Sequence, residues 1–551
     1  MTKWLLRIAV VLAVVTGIGW FFRVPIMLEA VGFAVRMRTP VGPHQEVDWD
    51  RGPESPAASA AERPPNIVLI VADDLGWNDL TFGGGGVAGG SVSTPSIDSI
   101  AAEGLQFTRG YSGSGTCAPS RASMMSGRYP TRFGFEFTPT PPGMLPMVAR
   151  LADSDRLHSP ITYFDDRGEG IPFEEMGVPA SEITLAETLG GAGYHTVHIG
   201  KWHLGRSNGM APHDQGFDES LLMASGLYLS EDDPGVVNSK QDFDPIDKFL
   251  WKGMQFASSF NGGEAFEPGG YITDYYTDEA VKVIEANRNR PFFLYLAHWA
   301  PHTPLQATRA DYDALSHIED HTLRVYAAMI RALDRGVGRV LAALEANGLT
   351  ENTLVLFTSD NGGANYIGLP EINQPYRGWK ITFFEGGIHV PFFARWPARI
   401  PAGSRYDEPV HHFDFYATAA AAAGAAMPSD RAMDGVDLLP FALGRKNASP
   451  HEKLFWRSGH YQVAIADGWK LQVTERPDKV WLFDMRNDPT EQHNVASEYP
   501  DRVNAMQLML AAHNQEQVAP AWPALIEAPI SIDKTLKGPD APDDEYIYWP
   551  N

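Results

Sequence analysis

Three short apolar runs constrain this chain more than any other feature. Ile67 to Ala72, Phe292 to Ala297 and Leu354 to Phe357 are continuously apolar, without the alternation of a half-exposed strand. Each stops at polar residues: Asp73-Asp74, His298, and Asp360 shortly after Phe357. Runs of this length and character suit strands buried on both faces of a mostly parallel sheet. Between them lie helical patterns. From Thr322 to Asn347, the residues Met329, Leu333, Val337, Leu341 and Leu344 recur on one face, and Gly348 stops the helix. The fold class is therefore α/β, a large mixed sheet flanked by helices. In such sheets functional side chains collect just beyond the carboxyl ends of the strands.

The 551 residues suffice for a large domain and a smaller one. The net charge of -24 argues against nucleic acid as a partner. It also means that any anionic substrate must be held by a local cationic pocket. Residues 1–35 read as an export signal or an N-terminal membrane anchor. Lys3 and Arg7 precede an uncharged, mostly apolar run from Ile8 to Phe22, short of the roughly 20 residues of a spanning helix. No small-x-small cleavage site follows directly, so a removed signal and a retained anchor both stay open. The protein is expected to be exported, to a periplasmic, extracellular or lumenal space. Residues 36–63 are rich in Pro and Ala and read as a linker burying little apolar surface. A large domain is set at 64–435, a C-terminal subdomain at 436–525, and an arm or loose tail at 526–551. The alanine run from Ala417 to Ala426 reads as a close-packed helix face.

The chain has a single cysteine, Cys117, in Gly115-Thr116-Cys117-Ala118-Pro119-Ser120-Arg121-Ala122-Ser123-Met124-Met125-Ser126-Gly127-Arg128. A lone cysteine cannot form an intrachain disulfide, so its value lies in burial or reactivity. Pro119-Ser120 can open a helix, whose free N–H groups favour an anion, and Arg121 adds a guanidinium. Asp73, Asp74, Asp360 and Asn361 form a set of hard oxygen donors, suited to calcium or magnesium rather than zinc. Lys201 and His203, in Gly200-Lys201-Trp202-His203, lie two apart, and on an extended segment they would point to one side. His302 lies between Pro301 and Pro304, and Lys380 in a loop before another strand. His298 is assigned only a supporting or structural place.

The cysteine motif, with Asp73-Asp74 and Ser359-Asp360-Asn361-Gly362, resembles the signature of type I sulfatases. The likeness runs over about residues 64 to 520, through Gly200 to Gly205, His302-Thr303-Pro304 and Asp434 to Pro440. It implies an alkaline-phosphatase-like fold, with a small antiparallel sheet and a helix in the C-terminal subdomain. It further implies that a sulfatase-maturing enzyme converts Cys117 to Cα-formylglycine. Asp73, Asp74, Cys117, Asp360 and Asn361 would then hold Ca2+, with Mg2+ as the alternative. The hydrated aldehyde would attack sulfur with one hydroxyl and expel sulfate through the other, a step closed to an ordinary serine. By the same likeness, Arg121 and Lys201 steady the diol and sulfate oxygens. His203 is the base, and His302 and Lys380 contact sulfate and the leaving oxygen.

The implied substrate is a sulfated small molecule or saccharide. Two other readings stay open: a phosphonate or phosphodiester hydrolase of the same superfamily, and a non-catalytic binder of sulfated glycans. In the likeness, Asn361 favours sulfate over phosphorus. Thr138 to Gly170 and Leu221 to Gly270, the latter with Tyr228, Phe243, Phe249, Trp251, Phe256 and Phe260, are either surface packing or a substrate rim.

Overall fold

The computed structural model describes residues 4, 7, 23–58, 62–83, 85–141, 143–151, 156–163 and 171–551. Nine strands form the central sheet: β1 (Asn66–Ala72), β2 (Leu105–Phe107), β3 (His195–Gly200), β4 (Glu219–Gly226), β5 (Phe256–Phe260), β6 (Phe292–Ala297), β7 (Thr353–Ser359), β8 (Phe392–Arg395) and β9 (Ser404–Tyr406). Their order is β9-β2-β8-β7-β1-β6-β3-β4-β5. Only β8 and β5 run antiparallel to their neighbours. The three apolar runs are β1, β6 and β7, side by side, with Ile67 opposite both Phe293 and Leu354.

Their continuous apolar character follows from the layers. Val68, Ile70 and Ala72 pack with helices Pro95–Ala102, Ile272–Ala286 and His321–Ala346. The alternate residues Ile67, Leu69 and Val71 pack with helices Cys117–Ser126, Leu185–Gly191 and Asp414–Ala423. Every residue of β1 is thus removed from water, at roughly 1.5–3 kcal/mol for each large aliphatic side chain. The long helix starts at its Asp320 cap, which accepts the Leu323 amide. Met329, Leu333, Val337 and Leu344 are buried as expected, whereas Leu341 is half-buried.

Four antiparallel strands make the C-terminal sheet: β10 (Lys453–Ser458), β11 (Tyr461–Ala466), β12 (Trp469–Glu475) and β13 (Asp478–Asp484). One face carries helix Pro500–Asn514 through Leu471, Leu482, Met506 and Leu510. The other packs Tyr461, Val463 and Trp481 against Phe383, Phe384 and Ile388 of the large domain. The final stretch is a structured arm. Strands Ile526–Ser531 and Tyr546–Pro550 pair, and Ile161–Thr162 joins their edge.

The segment read as a linker lies on the large domain. Val47 and Trp49 are buried there, the Trp49 indole donates to Glu279, and the Asp50 amide donates to Glu219. Its prolines interrupt helix and strand yet leave two apolar anchors, fewer than composition can register. Before it, helix Arg23–Arg38 buries Leu28 against Met147, Phe249 and Leu250. The apolar run 8–22 lies outside the described residues. Among those described, no helix is long and apolar enough to cross a membrane.

Candidate active site

The carboxyl ends of β1, β3, β6 and β7 converge on the first turn of helix Cys117–Ser126. Cys117 is its first residue, and the thiol is buried 3.5 Å from Asp73 Oδ1 and 3.7 Å from Asp74 Oδ1. Gly115 lets this loop press against the loop carrying Lys380; a Cβ there would stand 2.7 Å from the Thr382 carbonyl. Arg121, one helical turn beyond Cys117, is fully buried. Its Nε donates to Asp360 Oδ2 at 2.8 Å and a terminal nitrogen to Asp73 Oδ2 at 3.3 Å.

Lys201 places Nζ 2.6 Å from Asp73 Oδ2 and 4.6 Å from the centre of the Trp299 ring. His302 stacks on that ring at 3.9 Å. Lys380 donates to Asp74 Oδ2 at 2.8 Å, to the Tyr366 hydroxyl at 2.9 Å and to His302 Nε2 at 3.2 Å. Asn361 donates from Nδ2 to Asp74 Oδ1 at 2.8 Å, and its Oδ1 is buried without a partner. Three carboxylates and three cations are therefore held in one buried cluster around a thiol.

His203 is placed differently from the extended-segment expectation. β3 stops at Gly200, and His203 has a left-handed backbone with φ 64°. Its Nε2 lies 3.3 Å from the Pro139 carbonyl, so a proton on Nε2 is donated there. The buried Nδ1 is left as an unpaired acceptor. His298 stays apart from the cluster, with neither ring nitrogen paired.

A family model described as sulfatase matches residues 65–425, and one described as N-sulphoglucosamine sulphohydrolase, C-terminal, matches residues 378–517. Human N-acetylgalactosamine-6-sulfatase is 35% identical over 516 residues, covering 85% of this chain and 89% of that protein. The rat steryl-sulfatase is 31% identical, covering 78% of this chain and 79% of its own. The solved structure of Ps i-CgsB in complex with k-i-k-neocarrahexaose shares 31% identity with a TM-score of 0.69, covering 84% of this chain and 95% of that one. The chain belongs to the sulfatase family. It is a sulfuric ester hydrolase with the alkaline-phosphatase-like architecture described above.

In this sulfatase, burial and charge sort the ionisable groups. Burial pushes the Cys117 thiol up, and Asp360 adds to the effect. Burial and the neighbouring Asp360 push Asp73 up to about 7, against Lys201 and Arg121. At Asp360 burial acts upward, but Arg121 and Lys201 outweigh it and hold the carboxyl below its ordinary value. His203 and His302 are pushed well down, first by burial and then by Lys201 and Lys380 respectively. Both rings are therefore neutral at neutral pH.

The oxygen-rich donor set and the orphaned Asn361 Oδ1 fit a hard divalent cation. Among the described residues, Asp73, Asp74, Cys117 and His302 each place a candidate ligand atom within 4.8 Å of the others. His302 was not in the expected ligand set. Asp360 faces Arg121 with one oxygen and accepts the Asp74 amide with the other. Three supporting residues had not been singled out for the site: Tyr366 on Asp74 and Lys380, Tyr295 on Arg121, and Trp299 between Lys201 and His302; a fourth, Tyr228, comes from the stretch read as surface packing or a substrate rim. The Tyr228 hydroxyl oxygen lies 2.9 Å from the carbonyls of both Trp299 and His302, which share its one proton. Trp299 lies inside the His298 to Pro304 motif and was within reach of sequence reasoning; Tyr366 and Tyr295 carry no local signal.

Proposed function

We propose that this sulfatase acts through a formylglycine made from Cys117, with Ca2+ or Mg2+ held by Asp73, Asp74, Asp360 and Asn361. The observation that carries the reading is the orphaned Asn361 Oδ1 beside a buried thiol ringed by carboxylates, cations and the His302 ring. Such a donor set is matched when a divalent ion takes the free oxygen. The ion would supply positive charge for the sulfate oxygens and acidify a hydroxyl. Formylglycine hydrate would supply one hydroxyl that attacks sulfur and a second whose deprotonation expels sulfate.

The chain's own residues divide the remaining work. Arg121 and Lys201 fix Asp73 and Asp360 and add charge beside the position of attack. Pro139 holds the proton on His203 Nε2, leaving Nδ1 to accept one from the hydroxyl at position 117. His302 directs Nδ1 to the Thr303 carbonyl and turns Nε2 toward Lys380. This pair holds the proton for the leaving oxygen. With a net charge of -24, attraction for a sulfated substrate comes from these buried cations and not from the whole surface.

The substrate class we infer is a sulfated saccharide, supported by the N-acetylgalactosamine-6-sulfatase relative and by the k-i-k-neocarrahexaose complex of the solved neighbour. Export, with a maturing enzyme acting on Cys117, completes the reading. The test is release of free sulfate from a panel of sulfated saccharides, with formylglycine in the Gly110–Arg121 tryptic peptide quantified by mass. An unmodified thiol in protein that still turns over would overturn the nucleophile; no sulfate from any member would overturn the substrate class.

A further inference from the structure

The stretch from Arg377 to His389, which carries Lys380, is gripped from two sides. Toward the site, the Lys380 amide donates to the Gly363 carbonyl at 2.9 Å, and the Ile381 amide to Gly115 at 2.6 Å. On the opposite side lies the C-terminal subdomain. The Phe383 amide donates to the Tyr461 hydroxyl oxygen at 3.0 Å, and the Glu385 amide to Glu491 Oε2 at 2.5 Å. Lys470, on β12, places Nζ between two carboxylates, 2.7 Å from Glu385 and 2.9 Å from Glu491. Gln472 donates to Glu491 at 2.8 Å, and the Tyr461 hydroxyl donates to Gln472 at 2.5 Å. Lys470, Glu385, Glu491, Gln472 and Tyr461 are all essentially removed from solvent.

A buried lysine between two acids adds little net stability compared with well-packed apolar side chains. What it supplies is directional fixation, and the backbone here needs it. Ile381, next to Lys380, has φ 84°, a region from which a β-branched side chain is sterically driven. Glu491 is also left-handed, at φ 60°. Such conformations persist only where the surroundings over-determine them. Here the surroundings are the Gly115 and Gly363 carbonyls on one side and the Lys470 network on the other.

We propose that Lys470, Glu385 and Glu491 are positioning residues: a buried clamp by which the C-terminal subdomain holds the strained Lys380–Glu385 backbone and so sets Lys380 Nζ against Asp74 and His302. This rests on Lys380 acting in the site as read above. The subdomain is then part of the catalytic apparatus, although it sends no side chain into the cluster around Cys117.

The test is a double-mutant cycle of Lys470→Met and Lys380→Ala, read by sulfate release, together with hydrogen exchange of residues 377–389. Lys470→Met alone is expected to lower kcat/KM by about 30-fold, chiefly in kcat, whereas in the Lys380→Ala background it should cost under about threefold. Exchange at the Ile381 and Phe383 amides should rise in Lys470→Met while β10 to β13 keep their protection. Tyr461→Phe, which deletes one hydroxyl, should reproduce both effects at a few-fold scale, so a poorly folded Lys470→Met protein does not decide the outcome. Equal costs in the two backgrounds, or unchanged exchange in 377–389 for both variants, overturn the clamp. The exchange measurement needs no turnover. A wild type that releases no sulfate would remove the reading of the site, and loop exchange would still decide the clamp.

Discussion

Replacing Arg121 with methionine tests the electrostatic design of the site most severely. The side chain is fully buried and donates to Asp360, Asp73, the Lys201 carbonyl and the Tyr295 hydroxyl. Methionine fills much of the same length but donates nothing. Asp73 keeps Lys201 at 2.6 Å, whereas Asp360 loses its close cation. Breaking a buried pair by removing one partner costs about 3–5 kcal/mol, because the survivor is a desolvated charge. A proton taken up by Asp360 would relieve part of this, so the lower half of that range is expected near neutral pH. The control is Arg405→Met, whose pair with Asp407 is about two-thirds exposed and should contribute less than about 1 kcal/mol. The assay is guanidinium unfolding of both variants and the wild type in EDTA. A cost for Arg121→Met below about 1 kcal/mol would refute the claim that this guanidinium balances the buried carboxylates.

Two buried groups should bend the stability–pH curve in opposite senses. Burial pushes Asp79 up to about 7 despite bonds from Tyr326 and Gly76, so between about pH 4 and 7 the native state holds the extra proton. Its contribution falls as pH rises through that window, and Asp79→Asn should gain on the wild type by up to about 1.4 kcal/mol per pH unit. Burial pushes His298 down to about 4, so the unfolded chain protonates first as pH falls below about 6.5. His298→Leu should therefore gain on the wild type toward acid; gaps that do not move oppositely between about pH 5 and 7 would contradict both assignments. EDTA dialysis should abolish activity reversibly, with calcium or magnesium restoring it, and Asp74→Ala should lose activity by about a hundredfold or more. Full activity in metal-free protein would exclude the metal. Aryl sulfate should exceed aryl phosphate and phenylphosphonate in kcat/KM; a phosphorus ester ahead by about tenfold, or roughly 1.4 kcal/mol in transition-state stabilisation, would move the enzyme to phosphonate hydrolysis.

Much of this architecture is written locally. Runs buried on both faces cannot alternate, so β1, β6 and β7 were readable with the polar residues at their ends. Cys117, Arg121, Lys201, His302 and Lys380 lie in motifs distant in sequence, which the sheet brings together. His203 escaped its expected geometry because β3 ends at Gly200, where the left-handed backbone breaks the period of two. Tyr366 and Tyr295 escaped because a single tyrosine carries no spacing signal, and its role arises only through long-range contact. Lys470 was hidden for another reason. Lys470 and Gln472 alternate with Leu471 and Val473 and so look like the wet face of an edge sheet. In the folded chain that face meets Glu385 and Glu491 and is dry. The contacts of residues 36–63 were hidden in the same way: Val47 and Trp49 are too sparse to form a pattern, yet both find places on the large domain.

The central claim is that Cys117 becomes an aldehyde whose hydrate both attacks sulfur and releases it. The most direct measurement is the mass of the Gly110–Arg121 peptide in wild type and Cys117→Ser after incubation with an aryl sulfate. The wild-type peptide should carry formylglycine and return unmodified from turnover. The serine variant has one hydroxyl and no route back to a carbonyl, so it should accumulate a sulfated peptide while steady turnover is lost. Sustained wild-type-like turnover by Cys117→Ser, with no sulfated peptide, would contradict the account.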